Sequence, residues 1–346
     1  MCGIIGSVNH RLSNHTVQLI HHRGPDEFGE KKLAVNGHSI ELYHHRLSIL
    51  DLSSNGSQPM ASYDNKGLIV FNGEIYNHED IKARLVNVPF RGHSDTETLV
   101  NLCRKDCSIK KMAELNGIFA FAYLDTESNK LYLARDRFGV KPLYYYFDGR
   151  KVIFSSELRA ISCEVYQSFS IGSITTALKF RYVPAPETMY RKIFKVEPGQ
   201  LVTINLGEML VLSKSLFADL PKQASSGNST KKQLVKEYGQ LLEKAVERQL
   251  LSDVEVGIFL SGGIDSSLIA AIAKSKMKNI KAFTVGFDDK KLDERESAGV
   301  TAAYLGLDHY TETVKFNDFF EEFKMIANII EEPVDTGSIF SMYTLS

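Results

Sequence analysis

The chain changes its residue pattern once, and this change limits its possible folds more than any other feature. The stretch DLPKQASSGNSTKKQ, residues 219–233, is polar, rich in serine and lysine and nearly free of large apolar side chains, which is typical of a linker. At 346 residues the chain is also longer than a single hydrophobic core usually supports. We therefore expect two domains, at residues 1–210 and 234–346, joined by a linker at 211–233.

The N-terminal half is dominated by short apolar runs of the β type. Two helical patterns, HEDIKARLV and DTETLVNLCRK, stand between the third and the fourth of these runs. Strands on both sides of a helical middle favour an α+β domain with two sheets. The predicted strands are IIGSV, IELYHHRLSIL, GLIVFN, GIFAFAYL, KLYLARD, PLYYYF, KVIFSS and GQLVTI.

The C-terminal half alternates strands with helices after an amphipathic helix, TKKQLVKEYGQLLEKAVERQL. Asp293 and Glu296 resemble a capping box at the start of one of these helices. The alternation predicts a parallel sheet with helices on both faces, and such sheets bind ligands at the carboxyl ends of their strands. The elements that follow the first helix are VEVGIFL, SSLIAAIAKS, KAFTVGF, DERESAGVTAAYLG, HYTETV and DFFEEFKMIANII.

The composition excludes several classes of partner. With 41 Lys and Arg against 42 Asp and Glu, the net charge of −1 provides no basic field for nucleic acid or an anionic membrane. No apolar run approaches the roughly 18 residues of a membrane span. The 4 cysteines make no disulfide framework in a chain of this length, so we expect a reducing, cytoplasmic setting.

The string LSGGIDSS, residues 260–267, predicts a phosphate-binding loop between a predicted strand and a predicted helix. Its two glycines let the backbone approach an anion, Ser261, Ser266 and Ser267 add hydroxyl donors, and the helix presents its positive end. It is not a Walker A loop, because no Gly-Lys-Ser/Thr follows, and it lacks the third glycine of the dinucleotide fingerprint.

The chain opens with MCGIIG, which places a cysteine behind the initiator methionine. Removal of Met1, which is usual before a small residue, would leave Cys2 with a free α-amine. A nucleophile and a base would then belong to one residue. The alternative is that Cys2 is a small hydrophobic residue at the start of a strand, and the opening string alone leaves both interpretations open.

Six strings of the N-terminal half together resemble the class II glutamine amidotransferases. With SGGIDSS beyond the linker, the chain resembles the glutamine-dependent asparagine synthetase family over essentially its whole length. The resemblance implies a four-layer αββα N-terminal nucleophile hydrolase domain, followed by an incomplete α/β parallel-sheet ATP pyrophosphatase domain. The strings are MCGIIG, HHRGPDEFG, HHRLSILDLS, FNGEIYN, GHSDTETLV and ARDRFGVKPLYY.

The resemblance assigns the glutaminase roles. Cys2 is the implied nucleophile, and the Asn72 side-chain amide with the Gly73 backbone N–H is the implied oxyanion hole. An arginine fork suits the α-carboxylate of glutamine, and two acidic side chains suit its ammonium group. The implied glutamine-binding residues are Arg46, Leu47, Ser48, Ile49, Leu50, Asn72, Gly73, Glu74 and Asp95.

For the second domain the resemblance implies ATP, with Mg²⁺ on its phosphates. Leu260 and Val285, at the ends of adjacent predicted strands, match positions beside the adenine, and Asp265 is the candidate Mg²⁺ ligand. The implied ATP-binding residues are Leu260, Ser261, Gly262, Gly263, Asp265, Ser266 and Val285.

The implied reaction begins with hydrolysis of glutamine to glutamate and ammonia. Ammonia then attacks an acyl-adenylate made from ATP, with aspartate as the favoured acceptor. Alternatives are amidation of another carboxylate, such as a sugar uronate in polysaccharide assembly, a chain that is only a glutaminase, or a non-catalytic partner of a complete synthetase. We expect small-molecule substrates, no nucleic acid and no membrane, and a homodimer is compatible with the resemblance.

The resemblance also shows one departure. Members of the family continue into a second loop of the type SG-x-G-x-DE, which completes their ATP site. This chain stops at EEPVDTGSIFSMYTLS, so we expect it to be truncated relative to the family, either as a fragment or as a natural form that keeps glutaminase chemistry.

Overall fold

The structure is a computed structural model, and its packing divides the chain into two units. The first is Met1–Pro221 with Glu331–Pro333, and the second is Lys222–Ile330 with Val334–Ser346. None of the helices in the described part is long and apolar enough to cross a membrane. The residues described are 1–208, 210–218, 230–314, 319–334, 339 and 342–343.

The first unit is built on two six-stranded sheets, and every strand pair in them is antiparallel. In chain order the strands are β1 (Gly3–Val8), β2 (Glu27–Val35), β3 (His38–Arg46), β4 (Met60–Ala61), β5 (Gly67–Ile75), β6 (Gly117–Asp125), β7 (Lys130–Arg135), β8 (Tyr144–Phe147), β9 (Val152–Ser155), β10 (Ile193–Lys195), β11 (Gln200–Leu206) and β12 (Leu210–Leu216). The first sheet has the order β10-β8-β9-β1-β3-β2 and the second has the order β12-β11-β7-β6-β5-β4.

The first unit also contains helices, most of which cover the outer faces of the two sheets. They are α1 (Asn14–Gln18), α2 (His78–Lys82), α3 (Asp95–Lys105), α4 (Ile109–Ala113), α5 (Leu158–Ser162) and α6 (Ile171–Phe180). The core of the second sheet's outer face takes residues from α2, α3 and α4, and that of the first sheet takes residues from α1 and α5. A third core lies between the sheets. The layers therefore run helix, sheet, sheet, helix, which confirms the αββα prediction.

Strand β6 shows why these sheets need continuous apolar runs. Because successive side chains point to opposite faces, Ala120 and Ala122 enter the core between the sheets, while Phe119 and Phe121 enter the core under the helices. In β1 the adjacent Ile4 and Ile5 separate in the same way. Both faces of each central strand are buried, so alternation of apolar with polar residues is absent there.

The second unit alternates helices with parallel strands, as the sequence predicts. Its three strands pair in sequence order, β13-β14-β15, with parallel register throughout. The first helix begins with a capping box between Thr230 and Gln233. The elements are α7 (Lys231–Gln249), β13 (Gly257–Phe259), α8 (Ile264–Lys276), β14 (Lys281–Phe287), α9 (Arg295–Leu305), β15 (Asp308–Val314) and α10 (Phe319–Ile329).

The structure differs from the sequence predictions at the linker and at the start of one helix. Strand β12 and the start of α7 both fall within the linker predicted at 211–233, whose middle, residues 219–229, lies outside the described residues. Only Leu210 is fully buried in β12, and most of its other side chains are exposed, as is common for an edge strand. The capping box predicted at Asp293 and Glu296 is wrong, because Asp293 pairs with the Arg295 guanidinium, at 2.8 Å from both Nε and Nη2. The domain limits at 210 and 234 stay a prediction.

Candidate active site

Strand pairing places Cys2 beside the end of β3. Gly3 pairs with His45 in the antiparallel register of β1 with β3, so the residue before β1 meets the residues after β3. The Cys2 Sγ lies 3.4 Å from the backbone nitrogen of Leu47 and 3.6 Å from its carbonyl oxygen. Cys2 thus stands at the mouth of the loop that follows Arg46.

A small cavity opens in front of Cys2, with an open volume of about 30 Å³. This is room for about two water molecules. Two predicted site residues, Ser48 and Asn72, are not among the lining residues, and the Ser48 N–H bonds to the Asp26 carboxylate at 2.8 Å. Predicted site residues that line the cavity are Cys2, Arg46, Leu47, Ile49, Leu50, Gly73, Glu74 and Asp95, and unpredicted ones are Gly56, Gln58, Phe71, Ser94 and Thr96.

Near the end of β5 lies a buried side-chain amide, that of Asn72. Asn72 is 1% exposed, and among the described residues neither its side-chain nitrogen nor its side-chain oxygen has a hydrogen-bond partner. The next residue, Gly73, has φ +150°, and a Cβ there would lie 2.1 Å from the carbonyl oxygen of Ile118. An unpaired buried amide is costly, so this pair of residues is suited to a ligand oxygen.

Two acidic side chains share one end of the cavity. Burial raises the pKa of Glu74, and the neighbouring Asp95 charge raises it further. Burial also raises the pKa of Asp95, although its carboxylate accepts a hydrogen bond from the Ile75 N–H at 2.8 Å. Two buried carboxyl groups that repel each other retain a proton until a cation arrives. The pair is therefore a place for a positively charged group.

Arg46 organises the loop while its side chain faces the cavity. The residue is 5% exposed, and its Nη1 donates to the Glu27 carboxylate at 2.9 Å and to the Ser53 carbonyl at 3.1 Å. Its Nη2 donates to the Asp51 carbonyl oxygen. The guanidinium therefore fixes residues 51–53. It is also a positive charge in the lining of the cavity that contains Cys2 and the acidic pair.

Burial shifts the pKa of the Cys2 thiol and of the nearby terminal amine. Burial raises the pKa of the thiol, and the hydrogen bond from the Leu47 N–H only partly offsets this. Burial lowers the pKa of the terminal amine, which in this structure belongs to Met1, and the charges of Lys141 and Arg23 lower it further. Burial thus disfavours the charged forms of both the amine and the thiol.

Three residues near the site received no role from the sequence. Arg23 donates from Nε to the Cys2 carbonyl at 3.2 Å and from Nη1 to Glu157 at 3.2 Å. Gln58 accepts from the Phe71 N–H at 2.6 Å, and Lys141 is buried nearby. Arg23 and Lys141 belong to strings that carried the resemblance, HHRGPDEFG and ARDRFGVKPLYY, so those strings were the available signal.

In the second unit, the loop 260–263 joins β13 to α8 at the carboxyl end of β13. The Leu260 N–H bonds to the Phe283 carbonyl at 2.8 Å, which ties the loop to β14. The Ser261 and Ser266 hydroxyls lie 2.8 Å apart and close the turn. Glycine is favoured at 262, because a Cβ there would lie 2.1 Å from Oγ and 3.0 Å from Cβ of Ser297.

One backbone N–H group of this loop is already hydrogen-bonded to an acidic side chain. The Gly262 N–H donates to the Glu294 carboxylate at 3.0 Å, so the loop accommodates an anionic group. Asp265 is exposed in the first turn of α8, and Val285 is half-buried on β14. The described residues contain no group of three or more His, Cys, Asp or Glu that could hold a metal. Mg²⁺ fits here only if ATP phosphates supply most of its ligands beside Asp265.

Two family models match the chain. The glutamine amidotransferase domain model matches residues 1–214, and the asparagine synthase model matches residues 237–346. The chain belongs to the glutamine-hydrolysing asparagine synthetase family. This membership agrees with the order of the six strings and with the cavity in which Cys2, Gly73, Glu74 and Asp95 meet.

Relatives in this family are about one-third identical to the chain. A putative asparagine synthetase 2 of Methanocaldococcus jannaschii is 33% identical, over 100% of this chain and 71% of that protein. Asparagine synthetase 1 of Bacillus subtilis is 32% identical, over 99% of this chain and 55% of that protein. The chain thus spans only part of the length of these relatives.

Similarity to solved structures is more distant. The glutamine phosphoribosylpyrophosphate amidotransferase of B. subtilis, complexed with ADP and GMP, has 17% sequence identity and a TM-score of 0.44, over 93% of this chain and 70% of that one. At this TM-score the likeness adds nothing to the family assignment.

Proposed function

We propose that the first unit hydrolyses glutamine to glutamate and ammonia, with Cys2 as the N-terminal nucleophile once Met1 has been removed. The observation that supports this most strongly is the single cavity lined by Cys2, Arg46, Gly73, Glu74 and Asp95. A nucleophile, a group for each charge of an amino acid and a candidate oxyanion donor are the parts that a glutaminase needs.

In the proposed mechanism, the Cys2 amine takes the thiol proton, and Sγ attacks the carboxamide carbon of glutamine. The resulting oxyanion accepts hydrogen bonds from the Asn72 amide and the Gly73 N–H. The amine returns the proton to the leaving nitrogen, which departs as ammonia and leaves a thioester. Water then adds to the thioester, the C–S bond breaks, and glutamate and the free thiol are released.

We propose that the second unit belongs to the synthetase part of the reaction. ATP, with Mg²⁺, would supply the adenylate of a carboxylate, and ammonia would replace that adenylate to give an amide. The Gly262 N–H and the hydroxyls of Ser261 and Ser266 would hold phosphate oxygens, and Asp265 would contact Mg²⁺. Aspartate is the favoured acceptor, because the relatives carry the name asparagine synthetase.

The test treats the two halves separately. Purified chain is incubated with glutamine, and glutamate release is measured. A glutamine analogue with an electrophilic diazoketone side chain should label Cys2 stoichiometrically, and intact-mass measurement should show a chain that begins at Cys2. Pyrophosphate and amide are then followed with Mg-ATP and aspartate or a sugar uronate. Absence of both glutamate release and the Cys2 label would refute the glutaminase proposal.

Arg46 provides a prediction on substrate binding. Arg46→Lys is expected to raise the KM for glutamine about tenfold or more, since a charged hydrogen bond contributes about 1.5–3 kcal/mol. The kcat should stay within about threefold, because a carboxylate clamp binds the ground and transition states alike. The matched control is Arg84→Lys, on an exposed ion pair with Glu114. A loss confined to kcat would contradict the role.

Gly262 provides a prediction on the nucleotide loop. Gly262→Ala should weaken Mg-ATP binding about tenfold or more in titration calorimetry, because the new Cβ lies 2.1 Å from Oγ and 3.0 Å from Cβ of Ser297, so that side chain or the loop must shift. Glutamine hydrolysis should be unchanged. Gly239→Ala is the control, since a Cβ there meets nothing within 4 Å. Equal ATP affinity in wild type and Gly262→Ala would exclude this loop as the phosphate site.

A further inference from the structure

The short 3-10 turn His21–Arg23 packs against the start of β1. A Cβ on Gly3 would lie 3.4 Å from Cβ of Arg23, so the first residue of β1 and this turn are in close contact. At the end of the turn, a Cβ on Gly24 would lie 2.2 Å from the carbonyl oxygen of His45, which is the β3 partner of Gly3. Glycine at both positions lets the turn approach the strand pair, and Arg23 therefore stands beside the beginning of β1.

The Arg23 side chain bridges the backbone of Cys2 and an acidic residue. Its Nε donates to the Cys2 carbonyl at 3.2 Å, and its Nη1 donates to the Glu157 carboxylate at 3.2 Å. The side chains of Arg23 and Glu157 are 11% and 8% exposed. Because the guanidinium is planar and rigid, its two donors have fixed directions relative to each other. The place of the Glu157 carboxylate thus sets the direction from which Arg23 meets the Cys2 carbonyl.

Glu157 is itself held by both its side chain and its backbone. Its carboxylate accepts from the Arg159 Nε at 2.7 Å, and its N–H donates to the Ser155 hydroxyl oxygen at 3.1 Å. The N–H groups of the next two residues, Leu158 and Arg159, donate to the Glu331 carboxylate at 2.7 and 2.8 Å. Packing assigns Glu331 to the same unit. Support of this kind is what fixes a residue that must aim another one.

The contact with the Cys2 carbonyl gains importance once Met1 is removed. An N-terminal residue has no preceding peptide bond, so its orientation depends on the contacts of its own atoms. Neither Arg23 nor Glu157 lines the cavity in front of Cys2, so the bridge reaches the backbone of the nucleophile and not the substrate. A buried ion pair often adds little net stability, and the clearest consequence of this one is a fixed Cys2 carbonyl.

We propose that Glu157 is a positioning residue of the glutaminase, which directs Arg23 to the Cys2 carbonyl and thereby fixes the backbone of the nucleophile. This role rests on the proposed glutaminase function of Cys2. A reacting atom displaced by about 1 Å can lower a rate about 100-fold, so loss of this support should slow the attack of Sγ. Glutamine binding should change little, because neither residue borders the cavity.

The test is a double-mutant cycle on glutamine hydrolysis with Glu157→Gln, Arg23→Met and the double variant. Glu157→Gln should lower kcat about tenfold, because it weakens a charged hydrogen bond, and leave KM within about threefold. Arg23→Met should lower kcat at least as much, and Glu157 then keeps His22 and Arg159 as partners, at 2.9 and 2.7 Å. The double variant should match Arg23→Met, because Glu157 acts only through Arg23.

Two further variants complete the comparison. Asp64→Asn is the matched control, since Asp64 pairs with Arg104 at 2.7 Å, with side chains 22% and 14% exposed, outside the cavity lining. It should leave both kcat and KM unchanged. Melting temperatures identify a variant that fails to fold. If Glu157→Gln does so, Glu157→Asp takes its place in the cycle, because it keeps the charge and draws the carboxylate back by one carbon.

The kinetic constants decide between positioning and a merely structural ion pair. Losses in kcat that multiply in the double variant, an unchanged kcat, or a rise confined to KM would overturn the role of Glu157. Any of these results in an active wild type leaves the glutaminase proposal standing. A wild type without turnover or labelling of Cys2 refutes the glutaminase itself.

Discussion

Cys2→Ala is expected to reduce glutamate release by about 10³-fold or more, because no other group in the cavity can form the thioester. The melting temperature should change little, since the thiol's hydrogen bonds with the Leu47 backbone, at 3.4 and 3.6 Å, involve sulfur, which is a weak donor and acceptor. Alanine is also small, so Met1 should be removed as in the wild type. Coupled glutamate detection with purified protein measures the effect.

The matched control for Cys2→Ala is another cysteine of the same unit. Cys163 is free and exposed at the end of α5, so Cys163→Ala should retain full activity. The diazoketone analogue should label Cys163→Ala and spare Cys2→Ala. Substantial glutamate release by Cys2→Ala would mean that another nucleophile acts, and an active protein that still carries Met1 would exclude the amine as the base.

Apolar pattern predicts the central strands of this fold and misses its edges. The runs of β1, β5 and β6 are continuous because both of their faces are buried. Strand β2 received no prediction, because EFGEKKLAV buries only its last residue fully. Edge strands such as β2 and β12 are held by backbone hydrogen bonds to one neighbour, and this stabilisation leaves little trace in side-chain type.

The residues of the candidate site could be predicted from the sequence only through the family resemblance. Cys2, Arg46, Gly73 and Asp95 are widely separated along the chain, and periodicity gives no distance between them. What brings them together is strand register: Gly3 opposite His45, and β5 beside the start of α3. Gln58 was missed because its place in the cavity depends on a hydrogen bond from the Phe71 N–H to its side-chain oxygen, at 2.6 Å, and residue type does not reveal such a bond.

The acidic pair supplies the second large effect. Glu74→Gln is expected to raise the KM for glutamine about 10- to 100-fold, because it removes a charged acceptor for the substrate ammonium. The same change should stabilise the protein without substrate, since it ends the repulsion between two buried carboxyl groups. A residue kept for binding at a cost in stability is typical of functional sites.

The pH dependence of that stabilisation has a definite sign. Burial and Asp95 raise the pKa of Glu74 in the folded protein, so ionisation of this carboxyl costs stability as pH rises through its folded pKa. A glutamine side chain at this position does not ionise. The free energy of unfolding of Glu74→Gln should therefore match that of the wild type near pH 4 and exceed it by about 1 kcal/mol or more at pH 9. Denaturant unfolding at both pH values measures this difference.

Glu79→Gln, at an exposed acidic residue on α2, is the control. It should show neither the higher KM for glutamine nor the gain in stability at pH 9. Equal stability of Glu74→Gln and wild type at pH 9 would mean that the two carboxyl groups do not repel each other. The acidic pair would then not favour a bound cation.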